Sequence, residues 1–258
     1  MLILGNKTPF LVLVFLMLSQ ISMAQPTPLE RQYNVFHQGW TFLNIRNDLS
    51  DKFAAELSAF HWRQNVTQES INIYEGYQLQ AYELYIHYYL DENIVFSLTP
   101  FGFFHQETLA DDGWQSLGEP QHEYRWTARA LDSRQYGKVN VTHRLGFEYR
   151  HRTSSENPGV FWPENRLLYR IHIGYGFADN WKAVAQNEVF IAFGRYIQNN
   201  QLNLNIAFVG FEYIHSEHVQ VGFGYNHYLE TLRSGNEFNI SHALNLSLRL
   251  NNLIPIKN

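Results

Sequence analysis

Polar and apolar side chains alternate with a period of two along most of this chain, the mark of strands with one wetted and one apolar face. The clearest run is 139–152, where Val139, Val141, His143, Leu145, Phe147 and Tyr149 share one face and Asn140, Thr142, Arg144, Glu148, Arg150 and Arg152 share the other. From Arg166 to Phe177 the plan repeats, with Leu167, Tyr169, Ile171, Ile173, Tyr175 and Phe177 opposite Arg166, Arg170, His172, Gly174 and Gly176. Val219, Val221, Phe223 and Tyr225 oppose Gln220, Gly222, Gly224 and Asn226, and Leu244 to Leu250 alternate with Asn245, Ser247, Arg249 and Asn251. Weaker segments are predicted over 36–46, 53–63, 77–90, 94–105, 121–131, 182–194 and 202–214.

Connections alternate in length. Asn47 to Asp51, Asp91 to Asn93, Ala178 to Asn180 and His215 to Glu217 read as tight turns, whereas 64–76, 106–120, 153–163 and 231–239 are longer and polar. Long strands joined in this asymmetric way predict an antiparallel transmembrane β-barrel. Eleven segments are visible. Single-chain bacterial barrels have even strand numbers, so the expectation is about twelve strands, with ten as the alternative.

The first residues do not alternate. Lys7, the apolar run Phe10 to Leu18 and the small residues around Ser22-Met23-Ala24 read as a cleaved export signal over 1–24, with 25–258 forming one barrel domain. Nine apolar residues are too few to span a bilayer as a helix, which takes roughly 20. Without cysteine there is neither a lipid-anchor acceptor nor a disulfide framework.

Composition sharpens the picture. Aromatics make up 16% of the chain, yet the mean hydropathy is -0.33, which suits a wall that shows its aromatics to lipid. Tyr88, Tyr89, Tyr175, Phe177, Trp181 and Tyr213 flank the short turns, as an interfacial belt would. Taking Lys7 from 19 Lys and Arg leaves 18 against 24 Asp and Glu, about −6, so no basic surface for nucleic acid is expected.

The charges fix the orientation of the wall. Arg144, Arg150, Arg152, Arg166 and Arg170 facing lipid would each cost about 2–4 kcal/mol near the midplane. They are therefore expected inside, where Glu123, Glu148, Glu188 and Glu212 can pair with them across neighbouring strands. Such a lumen network either interlocks and closes the barrel or lines a narrow passage that favours small anionic solutes.

The run Gly146-Phe147-Glu148-Tyr149-Arg150-His151-Arg152-Thr153, followed by Asn165 to Arg170, Ala185 to Phe190, Val209 to Tyr213 and Val219 to Tyr225, resembles the domain of unknown function 2490 family of outer-membrane barrel proteins. The resemblance extends over most of the mature chain, including Trp40. It implies a barrel fold and an outer-membrane location, and no activity. Asn199-Asn200-Gln201, where an arginine is expected, and the C-terminal Ile256-Lys257-Asn258, where many barrels end in an aromatic read by the assembly machinery, depart from pattern.

Candidate chemistry is sparse. His151 with Ser154, Ser155 and Glu156 offers the residue types of an acyl-transfer site, but Thr153 to Gly159 has ordinary loop composition. His215-Ser216-Glu217 is too cramped to converge. His215 with His218, and Asp111-Asp112, fall short of a metal site's ligand number. The inward glycines Gly174, Gly176, Gly222 and Gly224 mark bends or bulky neighbours. The expectation is a non-enzymatic outer-membrane barrel without cofactor or metal, structural or passively conducting, in contact with outer-membrane lipids and the barrel-assembly machinery. The rival readings are an outer-membrane lipid hydrolase or acyltransferase and a soluble periplasmic lipid-binding barrel with apolar faces inward.

Overall fold

A computed structural model describes residues 31–67, 69–107, 120–153, 160–194, 202–232 and 236–254. The segment 1–24 read as an export signal, Asp111-Asp112, Ser154 to Glu156, Asn199 to Gln201 and Ile256 to Asn258 lie outside the described residues.

The described chain is built from strands alone: β1 (Gln32–Asp48), β2 (Phe53–Gln64), β3 (Gly76–Tyr89), β4 (Ile94–Gln106), β5 (Gln121–Tyr136), β6 (Val139–Thr153), β7 (Phe161–Ala178), β8 (Trp181–Phe193), β9 (Leu202–Ile214), β10 (Val219–Thr231) and β11 (Glu237–Asn251). Each pairs with its chain neighbours, and the sheet closes on itself between β1 and β11. Closure removes every sheet edge, so all strands find two hydrogen-bonding partners.

Two expectations are corrected here. Among the described residues the strand number is eleven, not twelve or ten, and the barrel is not wholly antiparallel, because β1 pairs β11 in parallel from Gln32 opposite Glu237 to Arg46 opposite Asn251. The reason is parity. With antiparallel neighbours throughout, an odd count brings first and last strands together pointing the same way.

Several strands also run beyond their sequence limits. β7 begins at Phe161 and carries Pro163, β11 begins at Glu237, and β5 continues to Tyr136, turning into β6 at Gly137, whose φ of 60° suits glycine. All short turns lie at one end of the barrel and all long connections at the other. At the short-turn end, Asp91 receives the backbone N–H groups of Asn93 and Ile94, which holds its carboxyl below the usual range.

Large apolar side chains cover the outer face. Leu145 is 49% exposed, Val209 58%, Leu246 54% and Leu244 60%. At the short-turn end Phe53 packs on Tyr88, and Trp181 meets Tyr213 and Phe223. Tyr89, read from the sequence as part of that belt, turns inward instead and lies beneath the Arg46 guanidinium. At the long-loop end His37, His61, His105, His122, His151, His227 and His242 stand on the outer face among Tyr77, Tyr124, Tyr149 and Tyr225.

Candidate functional site in the barrel lumen

The inner face of β5 to β8 collects arginine and glutamate because its parity places them there: Glu123, Arg125 and Arg129 on β5, Arg144, Glu148, Arg150 and Arg152 on β6, Glu164, Arg166 and Arg170 on β7, and Glu188 on β8. Cross-strand register then sets Glu123 opposite Arg152, Arg125 opposite Arg150, Glu148 opposite Arg166 and Arg150 opposite Glu164.

Glu123 is one hub. Arg150 donates to it through Nε at 2.8 Å and Nη2 at 2.5 Å, and Arg125 through Nε at 2.7 Å. Arg150 also reaches Glu164 at 2.5 Å through Nη1, and Arg152 approaches Glu164 at 3.4 Å and Glu123 at 3.6 Å. Glu148 is the second hub, taking Arg166 Nη2 at 2.5 Å and Arg125 Nη1 at 3.5 Å. Arg144 closes on Glu188, two strands away. Two guanidiniums lie over rings, Arg125 at 3.7 Å from the Phe104 centroid and Arg166 at 4.6 Å from that of Phe190. Guanidiniums held between carboxylates and an aromatic face have several of their donors and one π-face used.

Apolar groups fill the space around these hubs. Leu168, Phe190 and Leu204 pack with Ile206 and Tyr228. On the opposite wall Trp40 stacks on Trp62 at 4.2 Å, with Tyr228 edge-on to both, and the Trp40 indole N–H donates to Gln38 at 2.7 Å. Phe208 leans across Gly210 and Gly224, where an added Cβ would meet its ring at 2.6 Å. Glu148 is left 1% exposed and Leu168 1%. Ion-paired and apolar side chains thus meet in the long-loop half of the lumen, several of them buried.

The sequence-derived lumen residues thus fall into two groups. Glu123, Glu148, Arg150, Arg152 and Arg166 belong to this plug, whereas Arg144, Arg170 and Glu188 sit on its short-turn side. Glu212 stands apart near the mouth, in register with Lys182. Glu83, Arg125, Arg129, Glu164 and Trp62 were not singled out from the sequence, and Trp40 entered only through the family resemblance. Glu123 sits on their strand and parity, so extending its alternation would have flagged Arg125 and Arg129.

Nothing described here assembles the other candidates. His151 faces outward, its Nε2 at 2.8 Å from the Tyr149 hydroxyl and its ring against Trp126. His215 and His218 lie in a turn where His218 Nδ1 meets the Asn251 carbonyl at 3.0 Å. Among the described residues no group of three or more His, Asp or Glu is placed to hold a metal ion. The polarity is the reverse of a lipid-binding barrel with apolar faces inward.

Comparison with known proteins matches residues 37–239 to a family described as protein of unknown function (DUF2490). No curated protein matches in sequence. Solved structures with similar chain paths include a bacterial polysaccharide outer membrane secretin, at 9% identity and TM-score 0.46 over 76% of this chain and 63% of that one. LpxR from Salmonella typhimurium is another, at 12% identity and TM-score 0.48 over 77% of this chain and 84% of that one. The chain therefore spans less than two thirds of the secretin chain.

Proposed function

The chain belongs to the family of proteins of unknown function DUF2490, and we propose that this member is an exported, integral outer-membrane barrel whose lumen is closed by its own ion pairs. Its role is then structural rather than conductive. The observation that carries this reading is the inverted polarity: Glu148, Arg150 and Arg166 are at most 6% exposed, while Leu244, Val209 and Leu246 are more than half exposed. In water an apolar band this continuous would drive association. In a bilayer it is the favourable face, because lipid tails cover it and the closed sheet leaves no strand edge unpaired. The amphipathic His, Tyr and Trp rings near both strand ends suit the two water–lipid interfaces, where an apolar ring body and a polar tip are both accommodated.

Barrel size supports closure. Eleven strands stand between eight-stranded barrels, whose side chains fill the lumen, and the open channels of 16 to 18 strands, a width that large paired side chains can bridge. Partners on this reading are outer-membrane lipids and the barrel-assembly machinery.

Alkaline carbonate extraction followed by planar-bilayer recording tests the proposal. The protein is expected to stay with the membrane pellet and to give no steady single-channel conductance. Release into the supernatant would contradict the membrane assignment. A stable open channel would contradict closure alone and would return the narrow-pore reading.

A further inference from the structure

On the short-turn side of the plug the charge balance changes. Arg144 and Arg170 occupy directly opposed positions on β6 and β7, an arrangement of like charges that destabilises a strand pair unless something neutral or negative intervenes. Arg129, on β5, has its guanidinium 4.5 Å over the Tyr85 ring. All three arginines act electrostatically on Glu188, which accepts from Arg144 and stands in register with Arg170. The other carboxylate of this layer is Glu83, 3% exposed. Three guanidiniums therefore share Glu188 and Glu83, with Glu148 of the plug also acting on Arg129, and among the described residues Nε of each of Arg129, Arg144 and Arg170 has no hydrogen-bond acceptor, as Glu83 Oε1 has no donor. A buried cation without its counter-charge, or a buried donor without an acceptor, is costly.

Small residues continue the wall beneath them. Gly174 and Gly176 continue the inner face of β7 from Arg170 towards the short-turn mouth. An added Cβ at Gly174 would meet nothing closer than His172 at 3.8 Å, and at Gly176 nothing closer than a backbone oxygen at 3.9 Å. These two glycines differ from Gly210 and Gly224, whose space Phe208 occupies. On the closed-lumen reading, on which this inference rests, the plug of Glu123, Glu148, Arg150 and Arg166 shuts the far end.

We propose that the short-turn half of the lumen is a blind vestibule that binds a small oxyanion of the phosphate or sulfate class between Arg129, Arg144 and Arg170. The anion supplies the missing negative charge, and the side chains must turn to bring guanidinium N–H groups to it, because the three Nε atoms are themselves enclosed. Towards the mouth the site is flanked by Arg249 and Lys182, with Glu56 and Glu212 limiting how far the positive potential spreads. A site closed at one end serves retention or sensing of the anion, not its passage.

The test uses the full barrel folded in uncharged detergent, and urea unfolding is followed at constant ionic strength while chloride is exchanged for inorganic phosphate. Phosphate is expected to raise the unfolding midpoint progressively with its concentration, since a ligand held only by the folded state stabilises it by mass action. Arg170→Met is expected to fold and to lose that response, with Arg129→Gln as the second variant should Arg170→Met not fold. A midpoint indifferent to phosphate overturns the proposal, as does a response of equal size in the folded variant. The assay needs no bilayer, so its failure leaves the membrane reading untouched. Steady conductance with an intact phosphate response would remove closure and keep the site.

Discussion

Glu148 and Arg166 face each other across β6 and β7, the guanidinium meeting one carboxylate oxygen through Nη2 at 2.5 Å and Nε at 2.9 Å, with the Glu148 side chain only 1% exposed. Removing one partner strands a buried charge, so Arg166→Ala is expected to destabilise the barrel by about 3–5 kcal/mol. Replacing both with apolar residues of similar volume, Glu148→Leu with Arg166→Met, should cost less than either single change, because no charge is left unpaired. Urea unfolding in detergent micelles compares the three.

The parallel seam makes a geometric prediction. The backbone N–H of Gln32 donates to Asn236 in the β10–β11 connection, so the start of β1 lies at the long-loop end. Asn252 and Ile254, beyond β11, are tied to Asp48 and Asn47 at the short-turn end. Because the chain has no cysteine, single cysteines at Arg31 and Leu253 can be labelled cleanly. They are expected to react with an impermeant maleimide from opposite sides of a sealed vesicle. Labelling from one side would mean an even strand count.

What the sequence disclosed follows from what alternation encodes. Period two separates inner from outer face, so Arg144, Glu148, Arg166 and Arg170 could be assigned to one side from the cost of arginine against lipid. It carries no strand direction, so β1 beside β11 was invisible, and parity alone suggested twelve strands. Inner positions with apolar or small residues also lacked contrast. Leu168 sits between Leu167 and Tyr169 and looks from the sequence like part of an apolar run, yet it points inward and fills the space over Gly146. Ser241 and Ala243 are inner residues too small to mark the early part of β11, and the segment 244–251 was therefore read short. The division of the arginines into plug and vestibule needed three dimensions, since it depends on which carboxylates each can reach.

Gly224 tests how tightly the far wall is packed. A Cβ there would meet the Val209 carbonyl oxygen at 2.4 Å and the Phe208 ring at 2.6 Å. A ring can rotate but a paired backbone oxygen cannot. Gly224→Ala is expected to lower stability by about 1–3 kcal/mol, the usual penalty of overpacking. Gly174→Ala, whose added Cβ would make only an ordinary contact with His172 at 3.8 Å, should change stability little, and parallel unfolding curves would separate the two.

Glu75 in the connection between β2 and β3 accepts from the Ser70 hydroxyl at 2.5 Å and the Val66 N–H at 3.0 Å, and these bonds hold its carboxyl below 4.5. A depressed carboxyl stabilises the folded loop above the unfolded value, and that contribution is lost as pH falls through the folded one. Limited proteolysis between 65 and 75 is expected to speed up in acid below about pH 4.5. In Glu75→Gln the loop should be cut faster at neutral pH and show little further change.

The central claim is that the apolar wall faces lipid while the charges face each other. Nitroxide labels at Leu145, Leu167 and Leu246, all on the outer face, test it most directly in reconstituted vesicles by comparing relaxation by oxygen with relaxation by a water-soluble nickel chelate. Oxygen, which concentrates in the hydrocarbon, is expected to dominate at all three sites, most strongly near mid-strand. Dominant relaxation by nickel at these positions would place the outer face in water and contradict the account.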